Sequence, residues 1–169
     1  MDQGAHIYVR KRIPRGGGLG GGSSNAATTL VALNQLWKLE LDRDELIRIG
    51  TSMGADVPVF IKGRSAWAEG IGEKLTPISL PKRWYVVAQP DCFVSTAEIF
   101  ADPELTLQTP PITVQAFFSG AGRNDLQPVV VRRYPEVQRA VEWLRERSLD
   151  ARMTGSGACV FASVESEQE

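Results

Sequence analysis

Residues 14–34 read PRGGGLGGGSSNAATTLVALN, and the fold turns on what that run does. Six of the seven residues from Gly16 to Gly22 are glycine. Ser23, Ser24 and Asn25 follow, all good helix N-caps. Then Ala26, Ala27, Leu30, Val31, Leu33 and Trp37 fall on one broad stripe with a period near 3.6. Upstream, residues 6–12 read HIYVRKR, where apolar Ile7 and Val9 alternate with polar neighbours as in a half-buried strand that Pro14 ends. The expected order is strand, glycine loop, helix, with the helix opening at Ser23 or Ser24.

A glycine loop in this setting suits an anion. Backbone N–H groups reach phosphate oxygens only where no Cβ blocks them, and glycine also accepts positive φ. A helix start adds free N–H groups and the positive end of its dipole. A flexible linker would not run from a strand straight into a capped amphipathic helix. A Walker A loop needs Gly-Lys-Ser/Thr, and here Gly22 is followed by Ser23. A dinucleotide fingerprint fits Gly16, Gly18 and Gly21 only weakly. Its expected acid, Glu40 or Asp42, would have to close a second strand, whereas Asp42 reads better as the next helix cap.

That second helix starts near Arg43, since Asp42 and Glu45 have capping-box spacing and Leu41 and Leu46 staple spacing. It stops around Gly54. Asp56 then reads as a new cap, with Pro58 in the first turn. A capping carboxylate keeps a free oxygen, so Asp56 can also accept a proton from a substrate hydroxyl. Further strands are expected at Arg64–Ala68 and Trp84–Ala88. Lys74–Arg83 holds two prolines and reads as the domain boundary, Pro103–Thr113 as irregular chain, and Pro135 as a helix start. A second glycine turn, Thr154-Gly155-Ser156-Gly157, leads into a strand-like ACVFASV.

Composition narrows the function. The chain has 169 residues, 43% hydrophobic and 23% charged, with net charge −1, which describes a globular domain or two rather than a disordered chain. It lacks the overall basic charge of a nucleic-acid coat. Arg10, Lys11, Arg12 and Arg15 form the densest basic run, read as a solvated strand face or as charge beside bound phosphates. No run approaches a membrane span or a signal peptide. Cys92 and Cys159 make neither a disulfide framework nor a metal cluster and read as buried thiols, which fits a cytoplasmic protein. His6, the lone histidine, reads as structural.

The run from Pro14 to Asn34 resembles the second motif of the GHMP kinases. LGGGSSNAA, GADVPVF at residues 54–60 and the E-G-x-G-E pattern at residues 69–73 extend the likeness. With Asn124-Asp125-Leu126 and MTGSGACVF at residues 153–161, they resemble the branch of that family acting on diphosphocytidyl-methylerythritol. Other GHMP kinases, acting on homoserine or mevalonate, and a non-catalytic nucleotide-binding remnant are the alternatives.

The resemblance implies an α+β fold in two parts, residues 1–75 in the nucleotide domain and 76–169 in the substrate domain, with the active site in the cleft between them. It implies ATP as phosphoryl donor with Mg2+, and transfer to a tertiary hydroxyl of a small molecule. Pro14, Arg15, Gly16, Gly17, Gly18, Leu19, Gly20, Gly21, Gly22, Ser23 and Ser24 correspond to the ATP loop. Asp56 corresponds to the base. Thr154, Gly155, Ser156 and Gly157 correspond to the third motif, near the phosphates. No nucleic-acid polymer or membrane partner is expected; a homodimer is among the expectations for assembly. The family also has an earlier Pro-Ala-Lys-x-Asn segment whose lysine works with the aspartate. This chain has none, so the resemblance implies a piece that lacks the family's first motif and C-terminal segment and is inactive by itself.

Overall fold

The computed structural model describes residues 4–106, 108–147 and 149–166. They form two compact units of mixed helix and strand, the expected α+β class. The first unit takes residues 1–12 and 20–81, the second residues 13–19 and 82–169. The chain therefore crosses between units in the middle of the glycine run, so Ile13–Leu19 falls with the second unit, away from the expected 1–75 segment.

In the first unit, α1 spans Gly21–Leu36, α2 Arg43–Met53 and α3 Val57–Lys62. The second helix begins as its spacing dictates: Asp42 Oδ1 accepts from Glu45 N at 2.8 Å, and Glu45 Oε2 accepts from Asp42 N at 2.9 Å. Both bonds are local, so sequence spacing alone specifies them. Ala27, Leu46, Val57 and Ile61 form the buried centre, with Leu30 and Leu41 packed on it. Gly50 lets α2 approach α3, since a Cβ there would lie 2.6 Å from Ile61 Cδ1. A hairpin closes the unit, β1 (Ala66–Glu69) pairing antiparallel with β2 (Lys74–Pro77). The second strand lies at the start of the proline-bearing stretch that reads as linker; its partner is only a turn away.

Residues 6–12 form no strand. Among the described residues no strand pairs with them, and Ile7, Tyr8 and Val9 are exposed. Alternation marks a segment able to pair, but the backbone groups need a neighbouring edge. Lys11 Nζ donates instead to Asn25 Oδ1 on α1.

In the second unit, β3 (Trp84–Ala88), β4 (Arg152–Met153) and β5 (Val160–Val164) make an antiparallel sheet in the order β3-β5-β4. Helices α4 (Thr96–Phe100), α5 (Val114–Ala116), α6 (Gln127–Arg133) and α7 (Pro135–Arg145) accompany it, with a turn at Phe117–Ala121 that Gly120, at φ +92°, breaks. Helices α4, α5 and α6 are short, whereas α7 carries an apolar stripe and buries Val137, Val141 and Leu144. Those side chains join Ile99, Val130, Met153, Val160 and Ala162 in one core. No described helix is long and apolar enough to cross a membrane.

Candidate phosphate-binding loop and its supports

In the second unit, the loop at residues 14–19 lies against the turn at residues 154–159, and its carbonyls hold it there. Ala158 N donates to Gly16 O at 3.0 Å and Cys159 N to Gly17 O at 3.2 Å. Thr154 Oγ1 donates to Gly18 O at 2.8 Å. The approach is too close for side chains. A Cβ on Gly18 would sit 2.0 Å from Thr154 O, and Gly18 has φ +70°. One on Gly17 would sit 2.7 Å from Cys159 Sγ, and one on Gly16 2.8 Å from the Phe93 ring. These glycines thus serve close packing against residues 93, 154 and 159, and Gly18 meets backbone there. The loop is polarised as a result. Its carbonyls are engaged, while the N–H groups of Gly16, Gly18 and Leu19 donate to no acceptor among the described residues.

The turn itself is tied down from behind. Asn124 Nδ2 donates to Met153 O at 2.9 Å and to Gly155 O at 2.7 Å, while its Oδ1 accepts from Leu126 N at 3.0 Å. Gln127 Oε1 accepts from Met153 N at 2.8 Å. Ser156 Oγ lies 2.7 Å from Thr96 Oγ1 at the head of α4. Burial pushes the Cys159 thiol pKa up, which keeps it protonated and makes it a packing group under the loop. Thr96 and Phe93 carry no motif, so nothing in the sequence singles them out.

The remaining loop residues, Gly20 to Ser24, belong to the first unit. Here the expected cap is corrected. The helix opens at Gly21, with Gly20 at the cap position in a left-handed conformation and no side-chain cap bond. Ser23 and Ser24 lie inside the helix, where Ser24 N donates to Gly20 O and Ser24 O accepts from Thr28 Oγ1. A Cβ on Gly20 would lie 2.8 Å from the Phe60 ring of α3, so this left-handed cap position also packs without a side chain.

Asp56 sits at the cap position of α3 but makes no capping bond. Its backbone is helical (φ −87°, ψ −11°), whereas a cap side chain reaches the N2 and N3 amides from an extended backbone. The carboxylate is exposed. The E-G-x-G-E pattern forms the β1–β2 turn beside it: Gly72, with φ +111°, places its Cα where a Cβ would be 2.5 Å from Ala55 O. Glu73 Oε2 accepts from Ile71 N at 2.8 Å, and backbone N–H donation from Glu73 and Ile71 holds its carboxyl below the usual range. The basic run is divided, Lys11 in the first unit and exposed Arg15 in the second.

The GHMP kinases N terminal domain matches residues 1–64, and the GHMP kinases C terminal family matches residues 114–169. The chain belongs to the GHMP kinases. Within that superfamily it is 57% identical to 4-diphosphocytidyl-2-C-methyl-D-erythritol kinase of Ectopseudomonas mendocina, over 95% of this chain and 55% of the relative. It is 55% identical to the protein of that name from Pseudomonas aeruginosa, over 99% of this chain and 59% of the relative. A solved structure, the crystal structure of 4-(cytidine 5'-diphospho)-2C-methyl-D-erythritol kinase, matches with a TM-score of 0.77 at 37% identity. That match covers 94% of this chain and 61% of the other. The chain thus spans a little over half the length of the curated relatives it matches.

Proposed function

We propose that the protein carrying this sequence transfers the γ-phosphoryl group of ATP to the 2-hydroxyl of 4-diphosphocytidyl-2-C-methyl-D-erythritol, a step of non-mevalonate isoprenoid precursor synthesis. The observation that carries the reading is the likeness, above 50% identity across nearly the whole chain, to curated relatives bearing that name. The polarised loop supports it chemically. With carbonyls of Gly16, Gly17 and Gly18 drawn onto the 154–159 turn, unpaired N–H groups remain for phosphate oxygens. In this reading Pro14 to Ser24 bind ATP, and Thr154, Gly155, Ser156 and Gly157 brace the loop and offer the Ser156 hydroxyl.

Asp56 is the base in this reading. The substrate oxygen bonds to the γ-phosphorus, the hydroxyl proton passes to the Asp56 carboxylate, and the bond to the β-phosphate oxygen breaks to release ADP. Its uncapped carboxylate leaves both oxygens available. Mg2+ would arrive with the nucleotide, bridging its β- and γ-phosphate oxygens. The substrate is a small molecule, and the compartment of action is the cytoplasm.

Two measurements test this. Calorimetry of the chain with ATP should show binding that Gly21→Val removes without unfolding the protein. Unchanged affinity in a folded variant would remove the loop from the site. The gene product carrying this sequence should phosphorylate diphosphocytidyl-methylerythritol, and Asp56→Asn should slow it by about 10²- to 10⁴-fold. Turnover of homoserine or mevalonate in its place would overturn the substrate.

A further inference from the structure

Away from the glycine loop, three arginines from three different segments of the second unit line one open cavity of about 430 Å³. Arg123 precedes α6, Arg145 ends α7, and Arg152 lies on β4. Two of them are held in place by carboxylates. Arg123 Nε donates to Asp125 Oδ1 at 2.8 Å, and its second terminal nitrogen donates to Thr109 Oγ1 at 3.1 Å. Arg152 grips Asp150 Oδ2 through Nε at 3.1 Å and through a terminal nitrogen at 2.7 Å, while its other terminal nitrogen donates to Gly122 O at 2.8 Å. Arg145 has no carboxylate or hydrogen-bond partner among the described residues.

The charge balance follows from these pairs. Asp125 and Asp150 are the acids on the cavity wall, and each is engaged by one guanidinium. The third guanidinium is left over, so the wall carries one uncompensated positive charge. The two paired arginines are fixed at defined angles, which lowers the ordering cost of any further bond they make. Each guanidinium has five N–H donors, so those not spent on Asp125, Asp150, Thr109 or the Gly122 carbonyl stay free. The hydroxyl-bearing Thr106 lies on the same wall.

We infer that this cavity binds a small phosphate-type oxyanion, with Arg145 as its principal charge and Arg123 and Arg152 as preoriented donors. Planar guanidinium forks match the spacing of phosphate oxygens, and a tetrahedral anion takes donors from several directions at once. Free inorganic phosphate and the phosphate group of a small ester share this chemistry. The inference uses no residue of the proposed ATP loop or base and stands independently of the kinase reading.

The test is calorimetric titration of the chain with inorganic phosphate and, separately, with glycerol 3-phosphate. Arg145 is exposed at the end of α7 and glutamine is also a good helix former, so Arg145→Gln should keep the fold. It should weaken phosphate binding by about tenfold, the usual scale for losing one charge-assisted hydrogen bond. Arg145→Lys should restore part of that loss. Arg48→Gln, which removes an equal charge from an exposed site in the first unit, should leave affinity unchanged. The tighter of the two probes identifies the source of the anion. No phosphate binding by the parent chain would overturn the site. So would equal losses in the Arg48 and Arg145 variants, which mean general charge screening. An unchanged affinity in Arg145→Gln would show that Arg145 only offsets the carbonyl end of α7.

Discussion

The two halves of the glycine run solve different problems. Gly16 to Gly18 lie where the Phe93 ring, the Cys159 thiol and the Thr154 carbonyl come too close for any Cβ, and their carbonyls are bonded across to residues 154, 158 and 159. Gly20 to Gly22 open a helix. There Gly20 supplies a left-handed turn under Phe60, and nothing lies within 4 Å of a Cβ placed on Gly22. One residue type thus serves long-range packing in the first half and local chain direction in the second. The comparison teaches that a glycine-rich phosphate motif is not uniformly intolerant of side chains. Tolerance depends on which element each glycine faces.

Substitutions along the run and its supports can break or sharpen that contrast. The largest effect is expected from Gly18→Ala, which combines positive φ with a Cβ overlapping Thr154 O. Strain and overpacking should cost about 3 kcal/mol or more, seen as a lower urea midpoint. Parent-like stability would mean that the two halves do not differ. Next comes Asn124→Asp, which keeps the acceptor for Leu126 N but loses both donors to the carbonyls of Met153 and Gly155. A carboxylate facing two carbonyls should cost about 2–3 kcal/mol. A thermal shift too small to resolve would show that the turn holds its shape without Asn124. Thr154→Val removes only the hydrogen bond to Gly18 O at nearly constant volume. A loss of about 1 kcal/mol is expected, and its double-mutant cycle with Gly18→Ala should be non-additive, because the two changes share one contact. Full additivity would uncouple loop from turn. The smallest effect should be a gain: Gly22→Ala in the helix-forming half should stabilise the chain by about 0.5–1 kcal/mol. A clear destabilisation there would extend the packing constraint to the second half.

Legibility in the sequence followed the range of the interactions. The capping box of α2 joins groups three residues apart, and the spacing of Asp42 and Glu45 already contains it. The apolar stripe after Pro135 likewise specifies α7 and its buried face. The strand expected at residues 6–12 shows the converse, since alternation alone does not supply an edge to pair with. Asp56 is intermediate. Its residue type suits a cap and its position is at the start of α3, but a helical backbone aims its carboxylate elsewhere.

By itself the sequence determined that a glycine loop runs into a helix, that two further helices follow it, and that a second glycine turn enters a strand near residue 160. Each of these rests on side-chain periodicity or on groups a few residues apart. Only the tertiary structure decided that the first half of the loop packs with residues 154–159. The hydrogen bond from Thr154 to Gly18 spans 136 positions of chain, and no local spacing carries it. The tertiary structure also decided that the helix starts at Gly21 rather than at Ser23 or Ser24. There the left-handed Gly20, packed beside the Phe60 ring of another helix, turns the chain into the helix before the serines are reached.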